Sequence, residues 1–248
     1  MNPLSTRLLR RATASLGCVG VVSAAPVTLS ILEAGRTKPL PVRFDSDRFC
    51  HPLGGEDERD GVLDNEAWGR PRDRAKYPGP QGNGRYTQDI YYLLLNTGLR
   101  LPPSAGSASG VLPNPVGYDR AYVHVDGEFT YKKWRKGLKA SRSFVSNGPL
   151  LRARSNGFLA GHVFRANGSM PVVLEATLDS RDPIASVELV RDGRVERVNL
   201  PARFTIRESG WFLLRATAGV TNTLRFASTA PWYVEVDGRP MQPRRESA

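Results

Sequence analysis

From about residue 155 onward, apolar and polar positions alternate in short runs. These are PVVLEATL, IASVELVRDG, RVERVNL, RFTIRE, GWFLLRATA, TLRFASTA and WYVEVDG, seven in all, divided by turn formers. A period of two places successive side chains on opposite faces of an extended chain, so each run is expected to be a strand with one covered face. Seven short strands at this spacing predict a small antiparallel β-sandwich over residues 155–240. Asp192-Gly193 supplies the left-handed backbone pair that a two-residue hairpin needs, joining VELVR to RVERV.

The rhythm is different ahead of that point. Gln88–Asn96 reads as a helix with Ile90, Tyr91, Leu94 and Leu95 on one side, and Gly98 stands where a helix stops. LRLPPSAGS can be a short strand, RAYVHV is a strand, and FTYKKWRKGLKA is a helix with Thr130 as its N-cap. RSFVSNGPLLRARSNG gives two extended pieces around an Asn-Gly-Pro turn. Helix, strand, helix, strand is the succession of an α/β layer, assigned here to residues 86–154. Residues 26–85 are rich in turn formers and predict long surface loops. The expected fold class is therefore α/β plus all-β.

Composition changes this picture little. The 248 residues include four Trp, eight Tyr and nine Phe, enough for a real core. A formal charge of +11 raises the question of nucleic acid, but the cations are nearly all Arg, with six Lys, and they are scattered. In YKKWRKGLKA, Trp134 and Leu138 recur at helical spacing, which predicts one covered and one solvated face; no nucleic-acid partner is expected. Cys18 and Cys50 make neither a disulfide framework nor a metal-ligand spacing. Residues 1–25 place three Arg before a mildly apolar run that ends in small residues. This is either an export leader, with an exported or periplasmic protein, or a misassigned start of a cytoplasmic one. The run is too short and too polar for a transmembrane span.

Several residues invite a chemical reading. Gly106-Ser107-Ala108-Ser109-Gly110 matches neither a phosphate cradle nor a nucleophile elbow. His51 with Asp57, Glu58, Asp60, Asp64 and Glu66 offers an unconventional divalent-metal site, for Zn or Mn, without the spacing of a calcium loop. His124 and His162 read as a half-exposed strand residue and a turn residue. Trp211, Trp232 and Tyr233 are the aromatic candidates for a carbohydrate- or surface-binding face on the sandwich.

Taken together, DNEAWGRPRD, GNGRYTQDIYYLLLNTGLRLPPSAGSASGV, the stretch from NPVGYDRAYVHV to RSFVSNGPLL, and RESGWFLLRA with FASTAPWYVEV resemble the C-terminal part of CehA/McbA-like metallohydrolases. These carry a PHP-type domain. The resemblance implies a partial α/β barrel layer followed by a β-rich segment. It also places Gly106–Gly110 at a metal-site loop in which Ala108 and Gly110 stand where a carboxylate and an imidazole belong. A hydrolytic metal lowers the pKa of its water from about 15.7 to ~7 only when several donors hold it, and the His-x-His pair of that family is absent from this chain. A barrel of this kind takes roughly 200 residues or more, so half of one would expose a sheet edge for a partner chain to cover. The expectation is a non-catalytic or truncated relative without a cofactor. Its alternatives are an active metal hydrolase using the His51 cluster and a binding module built on the sandwich.

Overall fold

The computed structural model describes residues 27–31, 40–44, 75–107 and 116–242. Two compact units divide the chain, residues 1–51 and 52–248. In the first, β1 (Val27–Ile31) pairs antiparallel with β2 (Leu40–Phe44), Val27 lying opposite Phe44. The loop-rich reading of residues 26–85 therefore missed a hairpin.

The second unit starts with α1 (Gly82–Asn96), followed by β3 (Arg120–Val123), α2 (Tyr131–Lys139), β4 (Ser143–Ser146), β5 (Leu150–Ser155) and β6 (Val163–Ala166). Then come β7 (Met170–Asp179), β8 (Ile184–Arg191), β9 (Arg194–Arg197), β10 (Ala202–Ile206), β11 (Gly210–Ala218), β12 (Phe226–Thr229) and β13 (Trp232–Val236). All seven alternating runs of the sequence are strands. The β8–β9 hairpin turns on Asp192 and Gly193, with φ of 51° and 84°, as the dipeptide predicts.

Two sheets result. The smaller has the order β10-β7-β5, and the larger runs β3-β4-β12-β11-β13-β6, with β8 and β9 added on the free side of β11. Pairing is antiparallel except between β13 and β6. β11 organises the larger sheet because its nine residues pair with β13 near one end, with β12 near the other, and with β8 along the opposite edge. Every residue of β11 is buried. Phe212, Leu214 and Ala216 face a core shared with Leu151, Val172, Leu174 and Ile206 of the smaller sheet. Trp211 and Leu213 face the other way, against Tyr91, Tyr92 and Leu95 of α1. GWFLLRATA is thus a strand covered on both sides, which is why it reads as a near-continuous apolar run.

α1 begins six residues before its expected start, and its covered face carries Gln88, Tyr91, Tyr92 and Leu95, while Ile90 is exposed. LRLPPSAGS is not a strand.

The expected partial PHP-like α/β barrel layer is overturned. Among the described residues there are two helices, and β3, β4 and β5 belong to the sandwich sheets. β4 pairs with β12 and β5 with β7, so the boundary expected at 154 cuts through one packed body. The argument for a partner chain on an open half-barrel edge goes with it.

Candidate functional site

The metal candidates His51, Asp57, Glu58, Asp60, Asp64 and Glu66 lie outside the described residues, as do Ala108, Ser109 and Gly110. Among the described residues, no group of three or more His, Cys, Asp or Glu side chains is placed to hold a metal. Gly106 has open space around it. Ser107 is buried, and its Oγ accepts from the Asp119 amide at 3.0 Å and donates to the Asp119 carbonyl at 3.4 Å. This hydroxyl is thus engaged by the backbone of Asp119, a structural contact. His124 is exposed just past β3 and meets Asp126 at 2.9 Å, a carboxylate that Arg142 also reaches at 3.3 Å. His162 stacks on Phe158 at 4.0 Å, and burial followed by nearby Arg165 lowers its pKa.

The aromatic candidates do not form a binding face. Trp211, Trp232 and Tyr233 are 1%, 0% and 3% exposed. Trp211 Nε1 donates to Asn96 Oδ1 at 2.8 Å, and Trp232 Nε1 donates to the Phe158 carbonyl at 3.1 Å. Both indoles are therefore satisfied core residues, as alternation on a doubly covered strand makes them.

Exposed aromatic rings occur instead around α2, which interrupts the antiparallel pair β3–β4 at the edge of the larger sheet. Thr130 caps its start, its hydroxyl accepting from the Lys133 amide at 3.2 Å. Lys136 and Lys139 occupy the last turn, where cations suit the unsatisfied carbonyls. Gly137 is buried, and a Cβ there would lie 2.6 Å from Val123 Cγ1 and 2.8 Å from the His124 carbonyl. The glycine lets the helix lie directly on the end of β3. That contact turns Lys132, Arg135, Lys136 and Lys139 outward, all exposed. Lys133 is drawn back, donating to the carbonyls of Asp126 and Glu128 at 3.2 and 3.0 Å. Beside the cations stand Phe129 and Tyr131, 68% and 52% exposed, and the half-buried Trp134. Tyr131 and Trp134 lie nearly parallel, 13° apart with centroids at 6.1 Å, and the Arg135 guanidinium is 5.9 Å from the Tyr131 ring.

No known family profile matches the chain, and no curated protein does. Among solved structures, a fibronectin(III)-like module of Clostridium thermocellum CbhA is similar over 33% of this chain and 93% of that one, at 22% identity and a TM-score of 0.23. The expected kinship with CehA/McbA-like metallohydrolases is corrected accordingly. The body is β-sandwich, and the comparisons return no PHP-type relative. RSFVSNGPLL, a specific mark of that resemblance, is β4, a turn and β5. In the turn, Asn147 Nδ2 donates to the Leu224 carbonyl at 2.9 Å and its Oδ1 accepts from the Phe226 amide at 2.8 Å. Asn147 thus imitates a strand residue and ties the turn to β12.

A second polar cluster lies inside the protein, between α1 and the larger sheet. Arg215 Nε donates to Glu188 Oε2 at 2.6 Å, and its Nη1 donates to Gln88 Oε1 and, at 3.3 Å, to the Tyr92 hydroxyl. Ser186 donates to the other Glu188 oxygen at 2.9 Å. Burial raises the pKa of Tyr92. Glu188, Arg215, Gln88 and Tyr92 are buried, and the last two come from α1, so the cluster fastens α1 to the sheet. Sequence reasoning passed over the α2 face because it weighed YKKWRKGLKA as a solvated helix. The available signal was Phe129, Tyr131 and Trp134 set among cations within eleven residues, 129–139.

Proposed function

We propose that this chain is a non-catalytic binding module, a β-sandwich that presents α2 to a polyanionic surface. One observation carries the reading: four exposed cations share one short helix at a sheet edge with the exposed Tyr131 and the half-buried Trp134, Phe129 standing exposed just before it, while Trp211, Trp232 and Tyr233 of the sandwich strands are buried. Cations held on a fixed backbone act together on an extended anionic partner, and salt screens them beyond a Debye length of about 8–10 Å, which shortens as salt is added. The binding needs no cofactor. An exported location belongs to the same proposal if residues 1–25 act as a leader.

The test is retention of the full chain on immobilised dextran sulfate under a salt gradient. K132E/R135E/K136E/K139E should elute well before the parent chain. The matching control is R194E/R197E/R203E/R207E, which changes the net charge equally on exposed positions in and around β9 and β10; it should elute close to the parent. Equal shifts for both variants would mean that overall charge, not α2, does the binding, and the reading would fail.

A further inference from the structure

We propose that the surface α2 meets is the headgroup layer of an anionic phospholipid bilayer. This rests on the reading of α2 as a binding face. At 100° per residue, Tyr131, Trp134 and Leu138 share one flank of the helix, and Lys132, Arg135 and Lys139 share the neighbouring face. Gly137, sealed against Val123 and His124, fixes the opposite side. Phe129 stands exposed immediately before the cap.

The ring geometry chooses among anionic partners. A nucleic-acid base or a sugar needs a free, flat ring face on which to stack. Here Tyr131 and Trp134 lie against each other, nearly parallel, and Arg135 sits over Tyr131. Tyr131 and Trp134 leave ring edges and a phenol hydroxyl to a partner, and Phe129 keeps a free face, a single platform where a run of bases stacks on several. Amphipathic rings with a polar tip settle at the level of lipid headgroups. Long cationic side chains beside them keep their stems on apolar surface and carry their charges to phosphate. Each such cation strengthens attachment to an anionic leaflet roughly fivefold. The binding is shallow and reversible, in keeping with the finding that no helix among the described residues is long and apolar enough to cross a membrane.

The experiment is co-sedimentation of the full chain with vesicles of phosphatidylglycerol and phosphatidylcholine, with vesicles of phosphatidylcholine alone, and parallel titrations with dextran sulfate and a single-stranded oligonucleotide. Anionic vesicles should carry the protein down, neutral ones should not, and added salt should release it. F129S/Y131S should lower vesicle partitioning about tenfold while leaving dextran sulfate binding in place, with an unchanged thermal midpoint to show that it folds. Three results would overturn the lipid assignment: dextran sulfate binding without vesicle binding, a preference for the oligonucleotide, or vesicle binding indifferent to F129S/Y131S. Failure to bind any of these polyanions would bring down the α2 reading itself.

Discussion

Arg215 and Glu188 face each other across β11 and β8 as direct cross-strand partners, both buried. Removing one member leaves the other charge without compensation, which costs about 3–5 kcal/mol. Glu188→Ala is therefore expected to lower the thermal midpoint by roughly 6–20 °C. The double variant Glu188→Leu with Arg215→Met should recover most of the loss, because the two desolvation costs vanish together; calorimetry on the three proteins checks both. A second residue-scale expectation concerns Glu235, held between Arg100 at 2.6 Å and Arg165 at 3.1 Å. The hydrogen bond from Arg100 leads in holding its pKa below the ordinary carboxylate value. A depressed folded-state pKa gives stability that is present above the unfolded value and is lost as pH falls through the folded one. Arg100→Gln should therefore be less stable at neutral pH and lose less on acidification, as urea titrations at several pH values would show. Sequence gave a hint of the first pair, since Arg215 is the lone charge in GWFLLRATA. It gave none of the second, whose members are 135 residues apart.

Helix α2 shows which local chemistry can be read directly and which depends on a distant strand. Thr130 as N-cap and the helical run behind it were legible, because a cap and a period involve only neighbours in sequence. The glycine inside the helix was not, since its reason lies on β3. Alanine at Gly137 would gain about 1 kcal/mol of helix propensity. It would also force a methyl group against Val123 and the His124 carbonyl, an overpacking of about 1–3 kcal/mol. Because one of the two close neighbours is backbone, the clash should win. Gly137→Ala is expected to lower the urea midpoint and to weaken retention on dextran sulfate by displacing the helix. A variant more stable than the parent would show that α2 is not seated on β3 in this way.

At the scale of the molecule, the sandwich strands were legible because period-two alternation survives wherever one face is covered. Their partners were not. β4 lies beside β12 although residues 146 and 227 are far apart in sequence, and nothing local marks that pairing. RSFVSNGPLL, one of the segments that suggested a metallohydrolase, is β4, an Asn147 turn and β5, a piece whose chemistry serves any sandwich that must tie a turn to a third strand. The proposed lack of a cofactor has its own measurement. A ligand that binds only the folded state raises its stability by mass action, so exhaustive EDTA treatment should leave the thermal midpoint unchanged; a fall restored by Zn or Mn would reinstate a metal site.

The central position of β11 also bears on how the protein is made. A ribosome delivers β3, α2 and β4 long before residues 210–229, the strands that give this edge its place in the larger sheet. Until then Phe129, Tyr131 and Trp134 travel on a nascent chain whose sheet has no centre, and contacts so distant in sequence form slowly. Helix α2 gains its fixed orientation only near the end of synthesis. A chain cut before residue 210 should therefore be a substrate for chaperones and proteases rather than a smaller working module.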